Sequence, residues 1–252
     1  MTFIKPDWPA PAGVVALSTT RESGCSNGAY ASFNLAHHVG DDVDRVNRNR
    51  DALTRSLPIG STLQWLQQVH GRNVIEATQT QDVPTADASW TSAKGVGCAV
   101  MTADCLPALF CSKNGNKIAA AHAGWRGLNL GILEATVRAL SVPPSDLMVW
   151  LGPAIGPQAF EVGAEVREQF LRDCITSASV DTSLCFVENA LAPGFYWADL
   201  YALARVRLET MGITNIYGGD LCTFSNARRF YSYRRDGQTG RMATVILKTN
   251  PL

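Results

Sequence analysis

The turn signal Asn114-Gly115-Asn116, with apolar runs on both sides, constrains this chain more than any other stretch. Two such runs joined by a Gly-containing turn read as a β-hairpin, here over residues 109–121. A hairpin places neighbouring strands antiparallel, which disfavours a strictly parallel, doubly wound sheet. The remaining pattern alternates irregularly. Residues 14–20, 62–68, 74–77, 96–102, 107–111, 147–151, 213–217 and 242–248 are apolar or β-branched and predict strands. Segments 62–68 and 74–77 flank a turn at His70-Gly71, and 96–102 and 107–111 are interrupted by Ala103-Asp104-Cys105. Residues 41–56, 128–140, 163–174 and 199–211 predict helices. Asp41 or Asp42 caps the first, Asp199 caps the last, and Pro143-Pro144 stops the second. Val43, Val46 and Leu53 form the inward stripe of the first helix; Leu130, Leu133 and Val137 form that of the second. Residues 21–34, rich in Gly, Ser and Asn, read as a loop. The expected architecture is α/β of the α+β kind, mixed β-sheets flanked by helices. With no repeat, low-complexity tract or linker, residues 1–252 read as a single domain.

Composition narrows the function. Lys plus Arg and Asp plus Glu are 22 each, so the chain lacks the basic excess of a nucleic-acid binder. No apolar run approaches the roughly 18 residues of a membrane span. The start, Met1-Thr-Phe-Ile-Lys-Pro-Asp-Trp-Pro9, lacks a basic leader followed by an apolar stretch. Seven cysteines, an odd number without a C-x-x-C pair, read as free thiols in a reducing compartment. The expectation is a cytoplasmic protein without nucleic-acid or membrane partners, and no protein partner is deducible.

Three strings carry chemistry: Gln68-Val-His70-Gly71, Thr102-Ala-Asp104-Cys105 and Ala121-His122-Ala-Gly-Trp-Arg126. Two imidazoles and a thiol are enough to hold zinc with one coordination position open. The spacings match no short-range motif such as H-E-x-x-H. Read from residues alone, His70 and His122 are either metal ligands or hydrogen-bonded structural histidines. Arg50 falls on the inward stripe of the first helix, where it needs an anion or carboxylate, or must bend outward at the rim.

A longer series appears in order: Thr19-Thr-Arg21, Ser32-Phe-Asn-Leu35, His38-Val-Gly-Asp41, Gln68-Val-His-Gly71, Ala86-Asp-Ala88, Thr102-Ala-Asp-Cys105, His122-Ala-Gly-Trp-Arg-Gly127, Leu151-Gly-Pro-Ala-Ile-Gly156, Phe160-Glu-Val162, Cys222-Thr223 and Ser232-Tyr-Arg-Arg-Asp236. This series, covering nearly the whole chain, resembles the YfiH family. Its members are called laccase-domain or polyphenol-oxidase proteins and were later assigned as purine nucleoside phosphorylases. The resemblance implies that His70, Cys105 and His122 ligate Zn2+, and that the fold is akin to toxin deamidases and YfiH-like cysteine hydrolases. It implies phosphorolysis of adenosine, inosine, guanosine and methylthioadenosine, with adenosine deamination as a side activity. Purine nucleosides and phosphate are then the small-molecule partners. One departure is Glu22-Ser-Gly-Cys-Ser26, where the family has a Gly-Gly pair.

Each activity needs further groups. Deamination needs a carboxylate to move protons, for which Asp104 and Glu161 stand in suitable motifs; Asp104 equally suits orienting a ligand. Phosphorolysis needs an anion clamp, and Arg50, Arg126, Arg234 and Arg235 are candidates. Arg126 could instead pair across a turn. On a strand, Arg234 and Arg235 would point to opposite faces, so one at most faces the site. Tyr233 could stack on a base or fill the core. Asn34 and His38 are loop-borne candidates whose alternative role is turn stabilisation. Two rivals remain. Two His, a Cys and Met101 make a blue-copper ligand set, so Cu2+ with oxidase activity is possible, although four His cannot supply a multicopper cluster. A metal-free hydrolase would use Cys105 as nucleophile and His122 as base.

Overall fold

A computed structural model describes residues 1–79, 82–172 and 181–249. Among them, the strand Leu106–Ser112 shows how the layers arise. Its residues alternate between two cores, as the period of two requires. Leu109 and Cys111 enter one core and Ala108 and Phe110 another. Both faces of this strand are therefore buried, and every one of its residues is inaccessible.

Three sheets form among the described residues. The first runs Phe3–Ile4, Val14–Thr19, Met242–Lys248, Val96–Thr102, Thr62–Gln64. The second runs Asn215–Gly218, Leu147–Leu151, Leu106–Ser112, Ile118–Ala123, Ala88–Thr91, Val74–Glu76. Each mixes parallel and antiparallel pairs. Between them lies a core of Val96, Cys98, Val100 and Ile246 from the first sheet and Leu109, Ile118, Ala120 and Met148 from the second. The outer face of the first sheet is covered by Leu53 of the helix Val43–Arg55, with Phe33 and Leu35. Helices Ile132–Leu140 and Leu200–Thr210 cover the outer face of the second through Ile132, Leu133, Leu203 and Leu208. The result is a helix–sheet–sheet–helix sandwich, the expected mixed sheets flanked by helices. A small antiparallel sheet of Glu161–Gly163, Phe195–Ala198 and Phe186–Glu188 shares no strand pairing with these two, and its Val162, Phe186 and Ala198 join the core on the outer face of the second. No described helix is long and apolar enough to cross a membrane.

Several expectations need correction. The segments at 62–68 and 74–77 do not pair around one turn. Thr62–Gln64 joins the first sheet and Val74–Glu76 the second, so the chain between them crosses from sheet to sheet. The same holds for 103–105, between Val96–Thr102 and Leu106–Ser112. The single helix at 128–140 is two, Trp125–Leu130 and Ile132–Leu140. Gly131 breaks it with a φ of 89°, a left-handed conformation that costs glycine little. Leu130 consequently points to solvent. Val43, in the first turn beside the Asp42 cap, is also exposed, and the inward stripe is Val46, Asn49 and Leu53. Tyr233–Asp236 is a short helix rather than a strand, capped by the Ser232 side chain. The helix expected at 163–174 is Ala164–Arg172; residues 173–174 lie outside the described residues.

Candidate metal centre and cavity

His70 and Cys105 stand on the two sheet-to-sheet crossings, and His122 is the penultimate residue of the strand Ile118–Ala123. Cross-strand register explains the juxtaposition. Pro107 pairs with His122 and Leu106 with Ala123, so Cys105 emerges beside Gly124. A Cβ at Gly124 would lie 2.8 Å from Cys105 Sγ and 2.9 Å from His70 Cδ2. Only a residue without a side chain lets the backbone pass there.

The strand Ala88–Thr91 pairs with Ile118–Ala123, which sets Asp87 against His122. Asp87 is fully buried. Its Oδ1 accepts from His122 Nδ1 at 2.9 Å and from the His70 backbone N–H at 2.9 Å. Its Oδ2 accepts from the backbone N–H of Gly71 at 2.6 Å and of Val69 at 3.3 Å. His70 adopts a φ of 59°, and three successive amides converge on one carboxylate. Gln68 ties the same loop to the first sheet through both Met101 backbone groups, each at 2.8 Å.

An acceptor at Nδ1 puts the proton there and leaves the His122 Nε2 lone pair for a ligand. One nitrogen of each histidine and the Cys105 sulfur all lie within 4.8 Å of one another. His70 Nε2 is 3.7 Å from Cys105 Sγ. Tetrahedral zinc with ordinary Zn–N and Zn–S bonds separates such donors by about 3.6 Å. The residues thus fit a small divalent ion, with two borderline nitrogens, one soft sulfur and an oriented imidazole.

Electrostatics support the same assignment. Burial alone would raise the Cys105 thiol; the charge and hydrogen bonding of His122, then of His70, outweigh it and bring it down to about 6. By contrast, burial pushes the Cys98 and Cys111 thiols up to about 12. Burial would likewise lower His122, but the Cys105 thiolate and Asp87 hold it up at about 9, so without an ion Nε2 carries a proton that a bound metal would displace. Ligand-ready thiolate is therefore abundant at neutral pH.

The trio opens into a cavity of about 530 Å³. Trp125, Phe160 and Tyr233 supply aromatic surface, and Arg126, Arg234 and Arg241 supply positive charge. Arg126 stacks on Trp125, its Cζ 4.4 Å from the ring centroid, and makes no ion pair among the described residues. Arg234 donates Nη1 to the Glu161 carbonyl at 2.9 Å. Tyr233 is exposed at the rim, and His38 also lines the cavity. Partial burial, then the charges of Arg241, Arg50 and His37, lower the His38 pKa.

The family described as multi-copper polyphenol oxidoreductase laccase matches residues 15–249. A Pseudomonas aeruginosa protein named as a purine nucleoside phosphorylase is 52% identical over 244 residues, covering 97% of each chain. The Escherichia coli purine nucleoside phosphorylase YfiH is 48% identical over 245 residues, covering 97% of this chain and 98% of its own. The chain belongs to the YfiH family. A Neisseria meningitidis crystal structure shares its fold with a TM-score of 0.92 at 46% identity, covering 99% of this chain and all of that one. For Geobacillus stearothermophilus YlmD the values are 0.90 and 34%, with 99% and 97% coverage.

Other sequence candidates in this YfiH-family chain lie differently. Asp104, with a φ of 87°, does not hydrogen-bond the ligand trio. Its carboxylate accepts from Thr223 Oγ1 at 2.6 Å, Ser232 Oγ at 3.0 Å and the Arg234 amide at 2.7 Å. It anchors the short helix 233–236, and ligand orientation falls to Asp87 instead. The Glu161 carboxylate, outside the cavity lining, accepts from Asn189. Arg50 finds no carboxylate; Nε donates to the Leu35 carbonyl at 2.8 Å, Nη2 faces Met101 Sδ at 3.6 Å, and the guanidinium covers Trp65. Burial lowers its pKa to about 10. Arg235 is consumed by the carbonyls of Thr223, Phe224 and Phe230 and by Asp236. Asn34 is fully buried and does not reach the cavity; its amide bonds Ala36 in both directions, Asp41 and the Arg241 N–H. Asp87 and Gln68 stand in the quoted motifs Ala86-Asp-Ala88 and Gln68-Val-His-Gly71 without a role assigned there; in the structure they hold the His122 ring and the His70 loop.

Proposed function

We propose that residues 1–252 form one zinc-dependent catalytic domain, a purine nucleoside phosphorylase with adenosine deaminase side activity, located in the cytoplasm. The observation that carries the reading is the His70–Cys105–His122 trio opening into the cavity lined by aromatic rings and arginines. A volume near 530 Å³ lies within the range of small-molecule sites. Close relatives named as purine nucleoside phosphorylases support the substrate class. Free thiols at Cys25, Cys98, Cys105, Cys111 and Cys222 suit a reducing compartment.

Trp125, Phe160 and Tyr233 suit the flat apolar face of a purine, held by stacking and shielded from water. The arginines suit phosphate, their planar forks matching its oxygens. A phosphate oxygen bonds to the ribose C1′ as the C1′–N bond breaks. The bonding pair leaves with the purine, which takes up a proton, and ribose 1-phosphate remains. Adenosine, inosine, guanosine and methylthioadenosine all present the same reacting bond. Zinc held by the trio supplies Lewis acidity, and for deamination a means of activating water at neutral pH. Asp87 keeps His122 in the ligating tautomer and fixes the His70 loop.

A second reading, a cysteine hydrolase of the kind suggested by the likeness to toxin deamidases, draws on the Cys105 thiolate paired with protonated His122. It leaves His70 without a role. A copper oxidase is weaker still: the Met101 sulfur already faces Arg50, and the chain has four His.

Incubation with adenosine, with and without phosphate, separates these readings. Adenine and ribose 1-phosphate formed only with phosphate support phosphorolysis. Inosine alone reduces the enzyme to a deaminase. No turnover of any nucleoside, with a metal-free and alkylatable Cys105, favours the hydrolase.

A further inference from the structure

The arginines at the cavity differ in how far their charge is already committed. Arg126 is exposed and rests on Trp125; Arg234 is exposed and spends Nη1 on the Glu161 carbonyl. Arg241 is half-buried, and its Cζ lies over the Tyr233 ring at 5.8 Å from the centroid, a longer reach than the 4.4 Å of Arg126 over Trp125. Its Nη1 donates to the Thr239 carbonyl at 2.9 Å and the Gly240 carbonyl at 3.0 Å. Those bonds fix the plane of the guanidinium, while Nε and Nη2 donate to nothing among the described residues. No carboxylate forms an ion pair with it. Its backbone is equally fixed. The N–H donates to Asn34 Oδ1 at 2.9 Å, and the carbonyl accepts from the Leu35 N–H at 3.2 Å. Arg241 also starts the approach to the strand Met242–Lys248, at the heart of the first sheet. Charge desolvated in this way is costly unless an anion meets it.

We infer that Arg241 is the principal phosphate-binding residue of the cavity, with Asn34 positioning it and His38 beside it. This rests on the phosphorylase reading and deepens it, assigning the anion subsite to a residue that directly precedes a central strand rather than to the exposed arginines. The free Nε and Nη2 edge presents two parallel N–H groups, the fork that binds two phosphate oxygens at once. Asn34 reaches the anion only through the Arg241 backbone. Its burial and its lack of cavity contact follow from that role.

The test uses the zinc-loaded, full-length protein and the variants Arg241→Gln and Arg241→Lys. Two readouts are needed: KM for phosphate against KM for adenosine, and calorimetric binding of inorganic phosphate without nucleoside. A KM ratio does not depend on the fraction of enzyme that folds. Arg241→Gln is expected to raise KM for phosphate at least tenfold and KM for adenosine less than threefold. Arg241→Lys, which keeps charge but loses the fork, is expected to fall between. Phosphate binding should weaken in the same order. Unchanged phosphate KM and binding in Arg241→Gln would overturn the inference while leaving phosphorolysis intact. A wild-type protein that binds no phosphate would overturn it as well. Wild-type phosphate binding that depends on Arg241, without nucleoside cleavage, would support the anion site and overturn the phosphorylase reading.

Discussion

Asp87 and His122 are joined twice. The Asp87 carboxylate takes the His122 ring N–H at 2.9 Å, and the Asp87 carbonyl takes the His122 backbone N–H at 2.7 Å. The same carboxylate receives the amides of the His70 loop, so one buried anion fixes two of the three proposed ligands. Removing it leaves His122 free to change tautomer and the His70 loop without its anchor. Asp87→Ala is expected to weaken zinc binding about 10- to 100-fold. Competition against a chelator of known affinity measures this. An unchanged affinity would mean that the ligands orient themselves.

The depressed Cys105 thiol makes a pH prediction for the metal-free protein. Only thiolate is alkylated. With a pKa lowered to about 6, Cys105 is mostly thiolate at pH 7 and becomes mostly thiol only below that value. Its alkylation rate should rise through about pH 6 and then level off. An ordinary thiol would keep gaining rate up to about pH 8.5. Peptide mass mapping of iodoacetamide-treated protein separates Cys105 from exposed Cys25. A profile still climbing at pH 8 would show that His122 and His70 do not stabilise the thiolate.

Gly124 tests how tightly the centre is built. The Cβ of an alanine there would overlap Cys105 Sγ and crowd His70. Gly124→Ala should cost about 1–3 kcal/mol in stability, as overpacking does. It should also lower zinc content while circular dichroism keeps its native shape. Full zinc occupancy in this variant would place the ligands farther from the backbone than described.

Much of this arrangement was legible in the sequence. The strands at 96–102, 147–151 and 242–248 are long, apolar and bounded by turn residues, and the Asn114-Gly115 turn gave its hairpin. Their assignment to two different sheets was hidden, because crossings such as 103–105 look like loops within one sheet. Short elements were also missed. Ala88–Thr91 is four residues long, and Tyr233–Asp236 is a single turn held by Ser232 and Asp104 from far along the chain. The ligand trio could be suspected from residue type alone. Asp87 could not be ranked, although an acid flanked by Ala86 and Ala88 just before a buried strand is the signal that marks it. Arg50 is half-buried beside the Val46, Asn49 and Leu53 stripe, and carbonyl, sulfur and indole contacts stand where the sequence offered either an anion or carboxylate or a bend outward at the rim.

The central claim is that His70, Cys105 and His122 together hold the ion on which nucleoside chemistry depends. Zinc content of the freshly purified wild type and of Cys105→Ala, measured by plasma mass spectrometry beside adenosine turnover, tests it most directly. The account predicts stoichiometric zinc in the wild type, with metal and turnover lost together in a folded variant. Full zinc in Cys105→Ala, or a zinc-free wild type that still cleaves adenosine, would contradict it.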